Sequence, residues 1–155
     1  MRGFCCRLMT SRILRRLAFV AGLVLLVHTL SGCFGSLKAY QQQALTLATA
    51  MHQKMTSGDV NGIYDGADQR YRDVVTHQKS DALFSSIARK LGAPLDCKQG
   101  NTNFQVTTSG TTIVSVCKTT FSKDATGVET FTWIKSGDQF RLLGYHINSE
   151  ELIER

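Results

Sequence analysis

At 155 residues, 43% of them hydrophobic, the chain has room for one packed domain beside a targeting segment but not for two. Its formal charge of +6 is a local property: residues 1–32 hold five of the 18 basic side chains and none of the 12 acidic ones. The remaining 123 residues are close to neutral, thirteen basic against twelve acidic, which removes the positive field that nucleic-acid binding depends on and excludes nucleic acid as a partner.

Residues 12–33, RILRRLAFVAGLVLLVHTLSGC, set Arg12, Arg15 and Arg16 before an apolar run from Leu17 to Leu30. Small residues and a cysteine close it, the order of a secretory signal peptide. As a helix the run reaches roughly 21 Å, short of the roughly 30 Å hydrocarbon core, so a membrane-spanning helix is the weaker reading. Leu30-Ser31-Gly32-Cys33 resembles the lipobox of bacterial lipoproteins. The resemblance implies cleavage before Cys33 and lipid on its thiol and new N-terminus, several chains being what makes such an anchor lasting. An ordinary cleaved signal peptide is the alternative. Phe34 stands where an aspartate would hold the protein in the inner membrane, which implies an outer-membrane anchor facing the periplasm. Arg15-Arg16 matches the twin-arginine pattern only weakly. Met9 is an alternative start to Met1, in which case Cys5 and Cys6 are never made. The expected organisation is a signal peptide at 1–32, a lipidated tether at 33–36 and one domain at 37–155.

Cys97 and Cys117 are the pair left once Cys33 carries lipid. In an oxidising compartment that favours a disulfide, worth roughly 3 kcal/mol for a loop of this length in the chain-entropy model. Two buried thiols are the competing state.

Leu37, Tyr40, Ala44, Leu47, Ala48, Met51 and Met55 recur at three- and four-residue steps and predict one amphipathic helix stopped by Gly58. Val60, Ile63, Tyr64, Ala67, Tyr71 and Val74 continue the helical spacing, with Gly62 and Gly66 as break points. Ser80 is expected to cap a third helix with Leu83, Phe84, Ile87 and Leu91 on its apolar face, ended by Gly92 and Pro94. Residues 102–149 read as four strands separated by turn signals at Ser109-Gly110, Ser122 to Gly127 and Ser136-Gly137-Asp138. Connections this short allow only antiparallel neighbours. The expected fold is α+β: N-terminal helices packed on a curved four-stranded antiparallel sheet, the long helix in its concave face.

That order, with the closing stretch ETFTWIKSGDQFRLLGYHINS and its Glu129, Phe131, Trp133, Leu142, Gly144, Tyr145 and Ser149, resembles small secreted bacterial proteins of the cystatin-like, nuclear-transport-factor-like superfamily of α+β cones. The resemblance covers nearly all of the chain after Cys33 and brings no catalytic motif. The Gln-x-Val-x-Gly motif of cystatin protease inhibitors is absent: Gln105, Val106 and Gly110 stand at the wrong offsets.

Candidate chemistry is sparse. His52, His77 and His146 have no second ligand at metal spacing, so each is read as a surface or hydrogen-bonded side chain, and no metal or cofactor is expected. Glu129 has two readings, a pocket carboxylate able to act as a general base or a solvent-face residue paired across strands. Its alternation with Phe131, Trp133 and Lys135 favours the solvent face. Trp133 and Arg141, adjacent across a three-residue turn, suggest a cation–π contact. Tyr64, Tyr71 and Tyr145 read as core with wetted hydroxyls. Nucleotide cradles and nucleophile elbows are missing. The expectation is a membrane-anchored, non-enzymatic lipoprotein whose periplasmic domain binds an envelope protein, a peptide or a small apolar ligand. The alternative is a small hydrolase or isomerase using Glu129, Tyr145 or His146. A deep pocket with convergent titratable groups favours the enzyme, and an interior filled by Phe, Leu and Met favours the binding module.

Overall fold

The computed structural model describes residues 32–153, with side chains from Lys38 onward. The expected signal segment and the Cys33 side chain lie outside the described residues. The chain separates into a unit ending at Lys38 and a second beginning at Ala39, which holds the sheet.

Helix α1 (Gly32–Ser57) includes residues 33–36, read above as a tether, as its first turn. Ala44, Ala48 and Met51 are buried at i, i+4, i+7, with Leu47 and Met55 packed beside them. The two alanines let this stripe approach the sheet closely. Gly58 ends the helix at φ +73, a left-handed conformation that glycine adopts without Cβ cost. The next helical stretch divides at Gly66 into α2 (Val60–Gly66) and α3 (Gln69–Val74). The Asp59 and Asp68 side chains cap them, accepting from Gly62 N and Arg70 N. Asp68 N also donates to Leu142 O at 2.8 Å, which ties α3 to the last strand.

Helix α4 (His77–Lys90) starts three residues before the expected Ser80, capped by Thr76, whose Oγ1 accepts from Lys79 N. Ser80 is instead fully buried, its hydroxyl 3.3 Å from that of Tyr71. A cap needs water or free amides around it, and this serine is enclosed by α3. Arg89 and Lys90 in the last turn complement the helix dipole.

Four strands follow, β1 (Pro94–Thr107), β2 (Gly110–Phe121), β3 (Thr126–Ser136) and β4 (Gln139–Asn148), in the order β1-β2-β3-β4 with every neighbour antiparallel. The sheet is an open meander with β1 and β4 at its edges. A short helix, α5 (Glu150–Ile153), ends the description. Strand β1 begins eight residues earlier than expected, because Asp96, Lys98, Gln99, Gly100 and Asn101 are poor strand formers that an edge strand tolerates. The β3–β4 turn has two residues, Gly137 and Asp138, and Leu143 is an unpaired bulge residue between the pairs Thr132–Gly144 and Trp133–Leu142. The two-residue turn sets Arg141 opposite Ile134, not Trp133, and Trp133 stacks on Phe131 with centroids 5.7 Å apart.

Between helices and sheet lie Phe84, Ile87, Leu91, Ile113, Phe121, Phe131, Trp133 and Leu142, all buried. Each fully buried side chain of this size contributes roughly 1.5–3 kcal/mol. A disulfide joins Cys97 on β1 to Cys117 on β2, with Cα atoms 5.3 Å apart. Tyr40 near the start of α1 stacks on Phe104 of β1 at 3.6 Å, and Gln99 Nε2 donates to Gln41 O, so α1 runs alongside β1.

Candidate functional site

Glu129 occupies the middle of β3, opposite Cys117 on β2 and Ile147 on β4. Inward positions on this strand alternate as Gly127, Glu129, Phe131 and Trp133, and Glu129 is 0% exposed. The solvent-face reading of this residue is therefore corrected. Lys135 misled it: at the strand end a long side chain reaches water from an inward position, so its charge says nothing of the face further back.

Three side chains from three different elements converge on that carboxylate. Tyr145 of β4 donates its hydroxyl to Oε1 at 2.6 Å. Thr119 of β2 donates its hydroxyl to Oε2 in a short hydrogen bond. His52 of α1 places Nε2 2.8 Å from the same Oε2. Since a carboxylate only accepts, Nε2 carries a hydrogen. All three neighbours thus present donors, the set that suits a carboxylate and that an uncompensated buried charge would lack. Burial, then the charge of Glu129 and its hydrogen bond, holds the Tyr145 hydroxyl well above the ordinary tyrosine range, so it stays protonated and donating.

Aromatic rings pack against this cluster. His52 meets Phe131 edge-on at 5.8 Å, and Tyr145 packs against both Phe84 and Phe131 at 5.3 Å. Open space begins one layer out, on the α1–β1 side. A groove of about 580 Å3 is lined by Leu45, Thr49, His52, Gln53, Thr56 and Ser57 of α1 with Pro94, Leu95, Asp96 and Cys97. His52, 12% exposed, is the one member of the cluster that reaches it. Leu95, 67% exposed, offers an apolar contact at its edge.

Of the residues singled out from sequence, Glu129 and Tyr145 come together, whereas His146 points to the outer face of β4 and is exposed. His77 is exposed at the start of α4 with its ring edge-on to Tyr64 at 4.8 Å. Sequence reasoning missed Thr119 and the partnership of His52 with Glu129, 77 residues apart. A signal existed: His52 continues the Ala44–Ala48 stripe at the next four-residue step, which turns it toward the sheet. Among the described residues no three His, Cys, Asp or Glu side chains gather as a metal site requires. Comparison with protein-family models gives no match, and comparison with curated proteins gives none.

Proposed function

We propose that the chain is an envelope-anchored binding module, tethered by lipid on Cys33 and built on a cystatin-like, nuclear-transport-factor-like cone, that holds a segment of a partner protein in the α1–β1 groove. The observation that carries this reading is the burial of Glu129: its carboxylate is 0% exposed and occupied by Tyr145, Thr119 and His52. A general base must be within hydrogen-bond reach of substrate, and Glu129 is 0% exposed, with Phe131 and Phe84 packed against its partner Tyr145. The groove is wide, open and of mixed polarity, lined by Thr49, Gln53, Thr56 and Asp96 beside Leu45, Pro94 and Leu95, which suits a peptide segment better than a buried small molecule.

The address rests on two supports besides the lipobox resemblance. The Cys97–Cys117 disulfide is consistent with an oxidising compartment outside the cytoplasm, and no helix among the described residues is long and apolar enough to cross a membrane. On this reading the domain stands in the periplasm, held at the outer membrane.

One observation favours the small hydrolase or isomerase as a second reading. His52 is oriented by Glu129 through Nε2, which leaves Nδ1 as the ring nitrogen available to a molecule in the groove.

A photo-crosslinking amino acid placed in the full-length protein at Thr49, exposed in the groove, and at Asp138, exposed in the β3–β4 turn, separates these ideas. Adducts of discrete mass formed in the envelope from Thr49 and not from Asp138 support the binding module. Equal yields at both positions, or none at Thr49, overturn it.

A further inference from the structure

Helix α1 presents two opposite flanks, because residues 47, 50, 51 and 54 lie about 180° around the helix from 45, 49, 52 and 56. The first set faces a separate cleft of about 120 Å3 closed by Ile63 and Gly66 on the α2 side and by Trp133, Phe140, Arg141 and Leu142 of the sheet. Its walls are apolar, and Lys54 and Arg141 are the charged side chains that line it. No carboxylate lines it, and neither cation makes an ion pair among the described residues.

Lys54 is held in place, its Nζ donating to Gly62 O at 2.6 Å, a neutral partner that leaves the positive charge uncompensated. Gly66 keeps the flank of that ammonium open, since a Cβ there would lie 3.5 Å from Nζ. The field of Arg141 reaches Asp68, but Asp68 is already paired with Arg70 at 2.7 Å, so the local balance stays positive. In the cleft wall, Trp133 is 5% exposed and its indole Nε1 makes no hydrogen bond, an unspent donor of the kind that native interiors rarely keep.

We propose that this cleft binds a small organic monoanion with an apolar body, of the size and shape of an aromatic carboxylate, the ring against Trp133, Met51 and Leu142 and the carboxylate toward Lys54 and Arg141. The size follows from comparison with an apolar cavity of about 150 Å3, which accepts benzene. A cleft slightly smaller but open to solvent takes a ring and lets its charged substituent project. Long-chain amphiphiles do not fit the volume, and a neutral ring leaves both cations unmatched. The site is independent of the α1–β1 groove and uses none of its residues.

Trp133 is the sole tryptophan of the chain, so its fluorescence reports this cleft directly. The test titrates benzoate into the full-length protein in detergent, with benzyl alcohol as the uncharged control. A saturable emission change is expected for benzoate below about 10 mM, weakened about fivefold or more by Arg141→Gln and unchanged by Lys98→Gln, which removes an exposed cation outside the cleft. Arg141 is exposed on an edge strand, so its variant keeps the fold, whereas Lys54→Gln would also lose the bond to Gly62. No saturable change, an equal response to benzyl alcohol, or undiminished benzoate binding in Arg141→Gln overturns the proposal.

Discussion

Removing one hydroxyl tests whether Glu129 is held as a buried charge. Tyr145→Phe deletes the donor 2.6 Å from Oε1 and leaves the ring packed between Phe84 and Phe131, so no cavity opens. A hydrogen bond to a charged acceptor is worth about 1.5–3 kcal/mol, and little relief is available because the carboxylate has no exposed surface through which water can replace the donor. In a Glu129→Leu background the same change removes an unpaired buried hydroxyl and is close to neutral or stabilising. The double-mutant cycle therefore predicts a coupling of about 2 kcal/mol. Urea unfolding at neutral pH, followed by Trp133 emission, measures it: with m near 2 kcal/mol/M, the midpoint of Tyr145→Phe falls by about 1 M while m stays constant. A coupling below about 0.5 kcal/mol refutes the reasoning, since the three donors would then be contributing no more than neutral contacts do.

Three further outcomes follow from the same structure. The Tyr145 hydroxyl, held above the ordinary range chiefly by burial, contributes stability that is intact below about pH 10 and lost as pH rises beyond it; tyrosinate absorbance should show a delayed step that Tyr145→Phe removes and Glu129→Gln moves to lower pH. Asp68, held below the usual carboxylate range by the Arg70 hydrogen bond against the opposing effect of burial, contributes stability that is present above about pH 4 and lost as pH falls below it; Asp68→Asn should flatten that part of an acid denaturation curve. Replacing Cys97 and Cys117 together by Ser and Ala opens a loop with a sequence separation of 20 and should cost roughly 3 kcal/mol in thermal or urea unfolding, whereas a loss near zero would mean the loop is already restrained by the β1–β2 pairing.

The sheet was legible because its signals are local. Alternation and turn residues marked β2, β3 and β4, and the stripe from Ala44 to Met55 marked the long helix. What escaped depends on contacts distant in sequence. Ser80 has the composition of a cap, but the neighbouring Tyr71 hydroxyl draws it inside and Thr76 takes the capping role. The first half of β1 is polar enough to read as loop until β2 pairs with it. Glu129 looked exposed because charge was weighed by residue type, and only the joint approach of α1, β2 and β4 supplies the three donors that make its burial tolerable. Nothing in Ser136-Gly137-Asp138 marks which residue closes the turn, so the loop was counted one residue too long and the partner of Trp133 was placed one residue off.

The single unpaired residue Leu143 works as a phase shift in β4. Ahead of it the even-numbered Phe140 and Leu142 face the core, and behind it the odd-numbered Tyr145 and Ile147 do. One strand thereby writes two messages on the same side of the sheet: an apolar wall for the cleft beside Trp133 and a hydroxyl for the Glu129 cluster. Deleting Leu143 would keep every side-chain chemistry in the chain and still erase one of the two, because a regular strand can present only one parity inward. Substitutions on either side of the bulge, by contrast, leave the other half in register, so the cleft and the carboxylate cluster are free to diverge separately.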